Sequence, residues 1–151
     1  MGTRSVTIIM SDEDQDDHEE LCRIYRQFDG YPEGHGIELA ELCDRVIVNG
    51  IPGGADEATI SNGMGDLAAQ IIMGLKKDHP VGGIYLEASN GDISSWVEYI
   101  YIVRGSVGDK PTIECRTQVG EFPFNVQTKE GFVFKGTAAE WRDHDFDKDE
   151  E

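Results

Sequence analysis

"NGMGDLAAQIIMGLKK", Asn62 to Lys77, divides the 151-residue chain into two halves of different character. Met64, Leu67, Ala68, Ile71, Ile72 and Leu75 recur at the three- and four-residue spacing of a single helical face. Asn62 suits an N-cap, Asp66 lies in the first turn, where the macrodipole favours an acid, and Lys76 and Lys77 lie in the last. Pro80 bars continuation. The spacing predicts one amphipathic helix over 62–77.

Outward from this helix the period changes to two. "RSVTIIM", Arg4 to Met10, reads as a first strand, and "LCRIYRQF", Leu21 to Phe28, as a second. Alternation in the second sets Cys22, Ile24, Arg26 and Phe28 on one side and Leu21, Arg23, Tyr25 and Gln27 on the other. A shorter helix is expected from His35 or Gly36 to about Arg45, followed by turn formers with at most a short extended piece up to Ser61. Beyond Pro80, "GGIYLEA", "WVEYIYIVRG" and "PTIECRTQ" read as three antiparallel strands joined by the turns "SNGDIS" and "SVGDK". "FPFNVQT" and "GFVFKG" suggest one more hairpin, and Thr137 a last short helix. The expected fold class is α+β: an antiparallel sheet of five to six strands with two main helices packed on one face. Residues 1–142 form one expected domain and 143–151 an acidic, flexible tail.

The chain carries 30 acids against 13 bases, a net charge of −17. "DEDQDDHEE", Asp12 to Glu20, and "DHDFDKDEE", Asp143 to Glu151, supply −7 and −5 of it, leaving −5 for the body. Such a field disfavours long nucleic acid and anionic membranes as partners, and no apolar run is long enough for a span. Cys22, Cys43 and Cys115 are an odd, unclustered set among apolar neighbours. Without a C-x-x-C pair or an apolar leader after Met1, a reduced, cytoplasmic setting is expected. The four histidines show no metal-binding spacing, and Asp12, Asp14 and Asp16 imitate a calcium loop that fails at Asp17 and Arg23. No cofactor or metal is expected, and the standard nucleophile and phosphate-loop motifs do not occur.

The densest special chemistry is "YRQFDGYPEGHG", Tyr25 to Gly36, at a strand-to-helix junction. Asp29-Gly30-Tyr31-Pro32 makes a competent turn, and Gly34 and Gly36 permit close backbone approach. "SNGMGD", Ser61 to Asp66, again spends two glycines at a helix start. Two such starts predict the walls of one cleft for a small polar molecule of nucleotide type. Its expected ligand-binding residues are Tyr25, Arg26, Asp29, Gly30, Tyr31, His35, Gly36, Asn62, Gly63, Met64, Asp66 and Gln70. Tyr25 or Tyr31 would stack a base, Arg26 would pair a phosphate, and Asp29, Asn62 and Gln70 would read polar edges.

With "NGMGDLAAQ" and "YIYIVRG" downstream, this stretch resembles small bacterial and phage-encoded proteins of unassigned biochemistry. They share Y-R-x-x-D-G-Y-P-x-G-H-G followed by N-G-M-G-x-L-A-A-Q, over roughly residues 4–105. The resemblance implies a shared fold and transfers no activity. Its genomic company suggests a phage-encoded sponge that sequesters a nucleotide-type signal. Two other functions stay open on the residues. One is a hydrolase using His35 with Asp29 or Asp66 as acid–base pair. The other is an acidic protein–protein inhibitor or polyanion mimic built on the two acidic segments. A homo-oligomer is the default expectation for a small binder.

Overall fold

A computed structural model describes residues 2–13, 19–89, 93–94, 96–118 and 131–146. Strands β1 (Ser5–Met10) and β2 (Glu20–Arg26) pair antiparallel, with Val6 opposite Tyr25. A π-type turn, Pro32–Gly36, winds into helix α1 (Ile37–Leu42). A small parallel pair, β3 (Val46–Val48) with β4 (Ile60–Asn62), leads into α2 (Gly63–Lys77). Then come β5 (Ile84–Glu87), β6 (Tyr99–Arg104), β7 (Thr112–Thr117), β8 (Phe132–Gly136) and α3 (Ala138–Asp143). Six strands make one sheet in the order β5-β2-β1-β6-β7-β8, antiparallel throughout except for β1 beside β6. The fold is α+β and mostly antiparallel.

All three helices cover one face. Leu39 and Ala40 of α1, Leu67, Ile71 and Leu75 of α2, and Trp141 of α3 pack with Ile9, Ile24, Tyr101, Val103 and Ile113 of the sheet. The apolar stripe of α2 is the one its sequence predicts, with Met64, Leu67, Ala68, Ile71 and Leu75 buried.

The strand after α2 goes elsewhere than expected. β5 and β6 are not neighbours in the sheet, so the expected hairpin between them is not formed. β5 pairs with β2 at the sheet edge, so the connection from β5 to β6 is a crossover. Ile93 and Val97 of this crossover bury against Val6, Ile8, Met10, Ile100 and Ile102. The physical reason lies in the central strands. "SVTIIM" is buried at every position, so β1 presents apolar side chains to both faces and both need cover. β6 runs parallel to β1, and β5, two antiparallel steps from β1, shares its direction. A parallel link cannot be a tight turn.

Other departures are local. The turn-rich stretch leading to α2 holds two short strands, and Ile47 of β3 is fully buried. The side chain of Asn62 does not cap α2. Its Oδ1 accepts from the Gly50 N–H at 2.8 Å, while Asp12 Oδ1 accepts from the Met64 N–H at 3.0 Å. Asp66 reaches back to the Asn62 N–H at 2.8 Å. Helix α3 starts with a Thr137–Glu140 capping box, and Trp141 donates its indole N–H to the Ile113 carbonyl at 2.9 Å. The core extends past residue 142: Phe146 is buried against Trp141, and His144 stacks on Phe134. Residues 14–18, the expected strand 122–128 and residues 147–151 lie outside the described residues.

The three thiols are free. Cys43 and Cys115 are buried, Cys22 is partly so, and desolvation pushes all three thiol pKa values up.

Candidate functional site

The glycine-rich junction is built inward. Arg26 ends β2 on the helix-covered face, where its Nη1 donates to Glu38 Oε2 at 2.7 Å and lies 3.2 Å from His35 Nδ1. Its Nε donates to the Phe28 carbonyl at 2.7 Å. His35 is fully buried, and its Nε2 lies 2.6 Å from Thr7 Oγ1. A guanidinium only donates, so Nδ1 is the acceptor and Nε2–H donates to Thr7. Burial, with the Arg26 charge adding to it, lowers the His35 pKa to about 3 and keeps the ring neutral.

The glycines serve this packing. Gly30 donates its N–H to the Thr3 carbonyl at 2.9 Å and accepts from Tyr101 Oη at 2.6 Å. A Cβ on Gly30 would meet Ser5 Cβ at 2.7 Å, and one on Gly36 would meet the Trp141 ring at 2.5 Å. Asp29 takes a left-handed φ of 61° so that its carbonyl can accept from the His35 N–H at 3.0 Å. Tyr31 and the Asp29 side chain remain at the surface.

The start of α2 lies at the other end of β1. Gly30 is tied to Thr3, before β1 begins, whereas Met64 is tied to Asp12, after it ends. The expected shared cleft between the two helix starts is therefore not formed: about six strand residues, on the order of 20 Å, separate them. Gly63 carries a φ of 83° that opens the helix, and Met64 is buried beneath Gly105. Asn62, Asp66 and Gln70 do gather, with Ile51, Glu57 and Ile60, around a hollow of about 210 Å³. Two carboxylates in its wall make it a poor seat for phosphate.

A larger concavity lies on the opposite face of the sheet. Tyr25 and Gln27 alternate with Arg26 and so point away from the junction. With Tyr85, Leu86 and Glu87 of β5, Arg4 before β1, and Trp96 of the crossover, they line a groove of about 700 Å³. The Tyr25 and Tyr85 rings lie 6.0 Å apart and tilted by 42°. Trp96, 60 % exposed, lines the same groove and makes no ring contact with either tyrosine, which leaves its indole face open to a planar group. The Arg4 carbonyl accepts from the Glu98 N–H at 3.0 Å and ties the base of the crossover to this wall.

Charge pairing sets Arg4 apart. Arg23, Arg26, Arg104, Arg116 and Arg142 each meet a carboxylate, and Arg45 donates to two carbonyls. Of the seven arginines, Arg4 alone has no side-chain partner among the described residues. Of the residues expected to bind ligand, the groove contains Tyr25 only. Arg4, Gln27, Tyr85, Leu86, Glu87 and Trp96 escaped the sequence reading. The signal was present in part, as "IYRQ" alternates buried with outward-facing positions, whereas in "IYLE" only Ile84 is buried.

Among the described residues no group of three or more His, Cys, Asp or Glu side chains could hold a metal ion. No described helix is long and apolar enough to cross a membrane. The chain matches no known protein-family model, no curated protein and no solved structure, so its function is argued from geometry.

Proposed function

We propose that this protein binds a small ligand of nucleotide type in the groove walled by Tyr25, Tyr85 and Trp96. The observation that carries the reading is an arginine with no side-chain partner among the described residues, beside three aromatic rings in one open hollow. Aromatic faces stack planar bases, a guanidinium takes phosphate, and about 700 Å³ lies within the range of small-molecule sites. The lining is an inventory for holding a molecule, and sequestration of a nucleotide signal is the biological form this reading takes. His35 gains no support as a hydrolytic base from its sealed setting, and Asp12 of the acidic run serves α2.

Titration with a panel of nucleoside monophosphates and cyclic nucleotides, read by calorimetry and thermal shift, tests the proposal. A ligand at 100 times its Kd adds about 2.7 kcal/mol of stability. Trp96→Ala is expected to weaken affinity about 5- to 150-fold, the worth of one stacked base, and the ligand should be recovered chemically unchanged. Absence of binding by the whole panel, or full affinity in both Trp96→Ala and Tyr85→Ala, overturns it.

A further inference from the structure

The ladder register orders the groove's side chains into three rows, and that order specifies more than a flat ring. Tyr25 stands opposite Tyr85, and Arg23 opposite Glu87. Gln27 lies two residues beyond Tyr25 on the same side, and Arg4 one residue before Ser5, the partner of Arg26. Across the groove the order is therefore Arg4 with Gln27, then the tyrosine pair, then Glu87. Rows two residues apart are about 7 Å apart, which puts the cationic and anionic ends about 13 Å from each other. An elongated ligand with an anion at one end, a planar ring in the middle and hydrogen-bond donors at the other end complements this order.

Glu87 is available for those donors. Its cross-strand neighbour Arg23 turns away, donating to Glu20 at 2.8 and 3.1 Å and to the Ser89 carbonyl at 3.1 Å. Glu87 itself has no side-chain partner among the described residues. A carboxylate at a ring edge is satisfied by two adjacent N–H groups. Guanine offers that pair on its N1 and exocyclic N2. Adenine and cytosine place a ring lone pair beside their amino group, which a carboxylate repels, and uracil offers a single N–H between two oxygens.

Resting on the groove being the ligand seat, we propose that it selects a guanine nucleotide. Glu87 accepts from the base edge, Tyr25, Tyr85 and Trp96 hold the ring, and Arg4 with Gln27 takes the phosphate.

The test is calorimetric titration of the full chain with GMP, AMP and guanosine, repeated on Glu87→Gln and Arg4→Met. GMP is expected to bind at least ~10-fold tighter than AMP, the worth of a charge-assisted hydrogen bond. Guanosine should bind ~10-fold more weakly than GMP in the parent protein and equally in Arg4→Met. Glu87→Gln should bring GMP and AMP within about threefold of each other. Equal binding of GMP and AMP by the parent, with affinity still lost in Trp96→Ala, overturns the guanine assignment and leaves the groove standing. Failure of every nucleotide to bind removes the groove reading and this proposal with it. Glu87 is exposed and Arg4 half-buried, and unchanged urea midpoints in the two variants will show that the fold is intact.

Discussion

Two neighbouring residues of β2 face opposite worlds. Arg26 points into the helix-covered side, where Phe28, His35 and Glu38 use its donors, and Tyr25 points into an open groove beside Arg4, whose side chain has no partner among the described residues. The junction holds most of the residues that look chemical in the sequence, yet nearly all are occupied in holding the chain together. The groove holds ordinary-looking residues and leaves them unspent. A buried polar group completed by protein is architecture, and a convergent set left incomplete at a concavity is the place to look for a ligand.

Mutations should separate the two regions cleanly. The largest effect is expected at the junction. Arg26→Met leaves Glu38 and the His35 ring without their donor and should cost about 3 kcal/mol in urea unfolding, the low end for a broken buried pair because Glu38 keeps some solvent. A midpoint shift under 0.5 kcal/mol, the surface-residue scale, would break the comparison. Next comes pH. The folded pKa of His35, about 3, lies below its unfolded value near 6.5, so the unfolded chain takes the proton first. Its contribution is complete above pH 6.5 and falls by about 1.4 kcal/mol per unit as pH drops toward 3. Between pH 6.5 and 5, above the carboxylate range, the loss should reach about 2 kcal/mol and should flatten in His35→Gln.

Glycine substitutions sharpen the contrast at smaller scale. Gly30→Ala drives a Cβ against Ser5 and the Thr3 carbonyl and should cost about 2 kcal/mol. Gly65→Ala, in the first turn of α2 with open space around it, should instead add up to about 1 kcal/mol. Smallest of all, Trp96→Ala and Tyr85→Ala should shift stability by no more than about 0.5 kcal/mol while changing ligand affinity severalfold. A large stability loss in either would move the groove into the same class as the junction.

Much of the fold was legible because it follows from short-range pattern. The α2 stripe, the alternation in β2 and the Thr137 start of α3 each need only a few residues to declare themselves. What was not legible depends on partners far along the chain. "SNGDIS" has turn composition whether it closes a hairpin or opens a crossover. Only the two-sided apolar content of "VTII" and "IYIV" argues for the crossover. The candidate site suffered the same way. Alternation already placed Tyr25 and Arg26 on opposite faces, so one site could not use both. Trp96, Arg4 and Glu87 meet only once three strands are in register. Asn62 looked like a cap, but the capping acid, Asp12, lies 52 residues before the Met64 N–H it accepts from.

The crossover that brings Ile93 and Val97 over the sheet also carries Trp96. One strap thus closes the second core and forms the groove's wall. A molecule gripping that tryptophan pulls on the same stretch that shields Val6 and Ile100 from water. Amide exchange at the centre of the sheet, remote from any ligand atom, should therefore slow when the groove is filled, making the interior a gauge of occupancy.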